Sequence, residues 1–154
     1  MRYANGVIAG FVATIVLSAI MLMKSAMGLM PQLNVIQMLT EMGTNYGGLP
    51  ASPVIGWIMH LFIGSILWGL IFAATAPMWP GSSYLARGAS FSVAAWLLMM
   101  IVAMPMAGAG FFGMALGIMA PIATLVLHVI YGLVLGAVFG RLESRTVHSA
   151  HARR

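Results

Sequence analysis

Two histidines, His60 and His128, stand well inside long apolar runs, where no carboxylate or guanidinium accompanies them. An ionisable group at such depth in a membrane is costly and marks a candidate site. In its neutral form imidazole carries one hydrogen-bond donor and one acceptor, and both need partners. Three uses fit the pair. The rings can be hydrogen-bonded core residues, reaching Thr124, Ser65 or a carbonyl on a neighbouring helix. They can be the axial ligands of one b-type haem, because histidine is a standard haem ligand and bundles build cofactor sites from facing helices. Gly64 and Gly132 follow the two histidines by four residues and would leave room for a flat macrocycle against the backbone. The third use is proton or metal-ion handling by the same rings.

The 15 methionines raise a different chemistry. Met23 and Met27, Met38 and Met42, and Met100 and Met104 are spaced by four, which puts each pair on one helical face. Soft thioethers suit Cu(I), and histidine can join them, so a copper site through Met23, Met27, Met100 and Met104 is the alternative. Methionine is also a flexible apolar filler, and the same spacing serves plain packing. Cysteine is absent, which removes disulfides, thiolate metal sites and cysteine nucleophiles. Glu41 and Glu143 are the only acids, and neither lies within an apolar run. Glu41 could pair with Lys24, a contact of small energetic weight. With no catalytic constellation, enzymatic activity is not expected of this chain alone. His148 and His151 lie in a polar tail, where solvation is the expected fate.

These residues need a scaffold, and composition says which kind. Of the 154 residues, 62% are hydrophobic and 6% charged. Such a chain cannot clothe a core with polar groups, so its apolar surface must meet lipid. Four runs, at about 4–30, 52–76, 85–107 and 117–140, are each long enough as helices to cross a hydrocarbon layer of roughly 30 Å. Helices also satisfy their own backbone groups in lipid. The first run is too long for the apolar part of a cleaved signal, so we read it as a retained span.

The expected fold is therefore all-α, an integral membrane four-helix bundle of 1–140 followed by a basic tail of 141–154. Between the first two spans, Pro31 suits a helix first turn and Gly47–Gly48 a stop. Asn34, Gln37 and Glu41 share one face, with Val35, Met38, Leu39 and Met42 largely on the other. This pattern predicts a short amphipathic helix over about 32–44, lying on the membrane surface. Placing both termini in the cytoplasm of a bacterial inner membrane collects Arg2, Arg87, Arg141, Arg145, Arg153 and Arg154 inside and leaves Lys24 outside. The net charge of +5 then reports orientation and attraction to anionic lipid, with no nucleic-acid partner.

The chain also repeats itself. HLFIGSILWG in the second run parallels HVIYGLVLG in the fourth, and GVIAGFVAT in the first is echoed by GASFSVAAW in the third. Two tandem hairpins follow, in a parallel repeat. Small residues at four-residue intervals (Gly6, Gly10, Thr14 and Ser18 in the first run) let helix backbones approach, within the bundle or toward other membrane subunits or a second copy. The segments GVIAGFVATIVLSAIMLMKSAMGLMP and GIMAPIATLVLHVIYGLVLG resemble a family of small, uncharacterised, four-helix bacterial inner-membrane proteins. The likeness covers nearly the whole chain. It implies the topology and no activity. A small binding or accessory protein is the reading these features support, with a structural subunit of a larger complex as a further alternative.

Overall fold

The computed structural model describes the backbone of residues 1–151 and the side chains of residues 1–145. Arg153 and Arg154, and the side chains of His148 and His151, lie outside that range. Five helices organise the chain: α1 (Arg2–Ala26), α2 (Val35–Gly47), α3 (Pro53–Met78), α4 (Tyr84–Met106) and α5 (Met119–His151). All but α2 are long and apolar enough to cross a membrane. Ile8, Phe11, Ile15, Val54, Ile58 and Phe62 lie exposed on the outside of the bundle. Water would not tolerate so large an apolar surface, and lipid requires it. We read the chain as a multi-pass membrane protein with both described ends of the bundle chain on one side.

Local chemistry sets the helix limits and corrects four expectations. α1 stops at Ala26, four residues before Met30, because Gly28 turns the chain at φ +66°. The Lys24 ammonium then donates to the carbonyls of Leu29, Met30 and Leu33, at 3.1, 3.0 and 2.8 Å. It does not pair with Glu41, whose carboxylate accepts instead from the Gln37 amide at 2.9 Å. Pro31 lies outside α2, since Asn34 is the capping residue, its side chain accepting from the Gln37 N–H. α5 runs on past Gly140 through the stretch expected to be a separate tail. Arg141 to His151 contains no Gly or Pro, so nothing breaks the helix there.

Two spans contain a wider π turn, in which each N–H reaches back five residues. In α4 it covers Met99–Ala103. Pro105 follows, and it lacks an N–H and would crowd the carbonyl four residues before it. In α3 the π turn covers Phe62–Leu67, and the Trp68 N–H bonds to the Ile63 carbonyl. That leaves the Gly64 carbonyl free, and the Tyr131 hydroxyl of α5 donates to it.

The packing order is α3, α1, α5, α4, with the α2 helix laid on the start of α3. Glycines make the close approaches. A Cβ added at Gly6 would meet the Gly69 carbonyl, and one at Gly88 would meet that of Gly132. Between the helices, the half nearest the termini is filled by Phe72, Phe91 and Phe139, all buried and stacked at centroid separations of 5.2 and 5.3 Å. The other half is hollow.

Candidate functional site

The hollow half holds a cavity of about 330 Å³, and both His60 and His128 line it. Helix α2 closes its end: Val35, Met38, Leu39 and Met42 turn inward while Asn34, Gln37 and Glu41 stay outside or at the rim. The short amphipathic helix between the first two spans thus also covers this end of the bundle. Its far end is tied across to α4 by the Tyr46 hydroxyl, which donates to the Met106 carbonyl at 3.1 Å. Apolar side chains of three spans (Leu17 of α1, Ile63 of α3 and Leu127 of α5) complete the walls.

Hydrogen bonds fix each imidazole. Ser18 on α1 gives its single hydroxyl hydrogen to the Thr14 carbonyl at 2.8 Å. The His60 Nε2, 3.1 Å from that same oxygen, is therefore the donor to it. His128 donates from Nδ1 to the Thr124 carbonyl at 2.8 Å, since a carbonyl can only accept. The tautomers follow from this network. One nitrogen of each ring is left over, Nδ1 of His60 and Nε2 of His128, and among the described residues neither has a hydrogen-bond partner. His60 is also braced by Trp57, edge to face at 5.8 Å.

Other polar groups in the walls are largely spent. Thr14 donates to Gly10, Thr124 to Ala120 and Pro121, and Tyr131 to Gly64. Trp96 donates its indole N–H to Thr124 at 3.1 Å. The Trp68 indole N–H, in a side chain that lines the cavity, makes no such bond among the described residues.

The structure thus brings His60 and His128 to one cavity. It does not leave the expected room beside the glycines. A Cβ on Gly64 would strike the Thr14 side chain, and one on Gly132 would strike Gly88 and Ser92, so both serve helix packing. The four methionines expected for copper lie in different surroundings. Met23 and Met27 are exposed, whereas Met100 and Met104 are buried with Leu33 and Ala109. The cavity gathers a different set: Met21, Met38, Met42, Met99, Met104 and Met106. No cluster of three or more His, Asp or Glu placed to hold a metal ion occurs among the described residues. Ser18, Trp68 and Tyr131 escaped the reading of site residues. In the sequence Ser18 is one more small residue in a packing stripe, and only its approach to His60 gives it a polar role.

A family model described as a family of unknown function, DUF6789, matches residues 1–150. No curated protein and no solved structure matches the chain.

Proposed function

We propose, for a chain that belongs to the DUF6789 family of unknown function, the role of a small membrane-embedded binding protein whose ligand occupies the cavity between His60 and His128. One observation carries this reading. Two intramembrane imidazoles line one apolar cavity, each already anchored through its protonated nitrogen and each with its other nitrogen uncommitted. Anchoring of this kind orients a ligand-binding imidazole. A concave apolar site with a few fixed polar groups is the usual form of a small-molecule pocket, and about 330 Å³ lies at the lower end of the usual range.

Haem b between the two rings is the most specific occupant to weigh. The apolar walls and the paired imidazoles support it. It would have to displace Ser18 from the His60 Nε2, and its two carboxylates would find no Lys or Arg among the lining residues. A smaller neutral ligand meets neither obstacle, and we favour it. Cu(I) is the second reading, favoured by the methionines that share the cavity with the histidines.

One purification separates these occupants. The protein, expressed with haem and copper supplied and isolated in mild detergent, is extracted and analysed for bound organic molecules, for a Soret band and for metal. The expected result is an apolar organic compound that is lost from Ala103→Trp, which fills the cavity. A Soret band that disappears in His60→Ala and His128→Ala would make the ligand haem. Stoichiometric copper lost from Met38→Leu/Met42→Leu would make it Cu(I). An empty cavity that also takes up no lipophilic fluorescent probe would end the binding reading.

A further inference from the structure

We propose that the ligand is a lipid-soluble hydroxyl compound, of the phenol or hydroquinone type, whose O–H donates to an imidazole nitrogen in the cavity; this rests on the binding role proposed above. The argument begins with what the cavity lacks. Its walls present uncommitted acceptors at His60 Nδ1 and His128 Nε2, because the protein has used the N–H of each ring itself. The hydroxyls of Thr14, Thr124 and Tyr131 point their hydrogens into backbone carbonyls. An unused acceptor in apolar surroundings is a standing cost, which a donor on the ligand removes. A ligand that only accepts would leave both imidazole lone pairs bare. A hydroxyl meets the need, since it donates to an imidazole. The lining contains no charged side chain, so the ligand is neutral. Aromatic and thioether groups (Trp68, Tyr131, Met38, Met42) suit a flat ring on the other surfaces.

The way in also selects for lipid-soluble molecules. The backbones of α3 and α4 approach each other mainly at the turn Ala76–Met78, in the half away from the cavity. Level with the cavity, Leu98, Val102 and Met106 of α4 line it and keep large accessible surfaces, so side chains alone close the wall there. Helix α2 covers the end that would otherwise open to water. Entry is thus from the bilayer, between α3 and α4.

The test compares a decyl hydroquinone with its dimethyl ether, which keeps the ring, the tail and the oxygen acceptors but has no O–H. Both are titrated into the intact protein in lipid nanodiscs and followed by tryptophan fluorescence. The hydroquinone is expected to bind about ten-fold more tightly, the worth of a hydrogen bond to a buried acceptor. His60→Phe/His128→Phe, which removes both acceptors, is expected to erase that preference while still binding the ether. Nitrogen-15 spectra of labelled histidine supply a readout independent of folding defects in the variant. The His60 Nδ1 and His128 Nε2 resonances should be those of unprotonated nitrogens, and at least one should shift with the hydroquinone alone. Equal affinity for the two compounds, with no such shift, would overturn the donor inference and leave the binding role intact. Binding of neither compound, with the probe also excluded, would overturn both.

Discussion

In the first hairpin His60, Gly64 and Gly69 are separated by four and five residues, whereas in the second His128, Gly132 and Gly136 are each four apart. A regular helix would swing Gly69 off the face that Gly64 occupies. The π turn over Phe62–Leu67 takes up the additional residue, and both glycines still face α1. Two consequences separate the hairpins. Trp68, which follows the wide turn, lines the cavity and lies against Phe91 at 5.6 Å. The Gly64 carbonyl, released by the turn, is taken by Tyr131 from the other hairpin. A further difference lies at Ser18, which corresponds in the echo to Met100. His60 therefore leans on a hydroxyl of the neighbouring span, and His128 turns back to a carbonyl of its own helix. A duplication preserves the glycine seam, and the small departures from it build the site.

Substitutions can break that comparison at several strengths. The seam should fail first and alike in both hairpins. Gly6→Ala and Gly88→Ala each place a methyl against backbone atoms of the facing helix, and each should cost about 1–3 kcal/mol or more in unfolding measured by denaturant in detergent. Tolerance in one hairpin only would show that the two seams are not equivalent. Tyr131→Phe comes next. It strands the Gly64 carbonyl, at a cost of about 1–3 kcal/mol, and should leave the Gly6 and Gly88 contacts unchanged. An unchanged unfolding midpoint would mean that the wide turn needs no stitch from α5. Ser18→Ala should cost about 1 kcal/mol and shift the imidazole nitrogens of His60 but not those of His128. A shift in both rings would show that the two anchors are coupled. Pro105→Ala restores an N–H after the second π turn and should move stability by less than about 1 kcal/mol. Carbonyl chemical shifts at Met100 and Ile101 would show whether that turn relaxes to a regular helix, as expected for one caused by proline, while the turn in α3 persists.

How much of this was legible beforehand depended on the range of the cause. The spans were readable because lipid demands about 20 apolar residues in a row, a demand met within each segment. The amphipathic pattern of α2 was readable for the same reason, though not that its apolar face would meet a cavity. The methionine pairs show the limit. Met23 and Met27 are exposed and Met100 and Met104 buried, and spacing by four carried no information on which pair would face outward. The glycines after the histidines stand out in the sequence, but the space beside them is filled from two other spans, by Thr14 of α1 and Ser92 of α4.

Sequence by itself determined that this chain builds four apolar helices in two related hairpins, since hydropathy, glycine spacing and repetition are properties of single segments. Tertiary structure alone decided that one half of the bundle is filled by phenylalanine and the other left open, and that His60 and His128 meet there. The tautomer of each ring was decided there too. A hydrogen bond between α1 and α3, or a helix laid across a cavity, depends on how separate spans are rotated about their axes. That rotation is set by close packing among all of them at once.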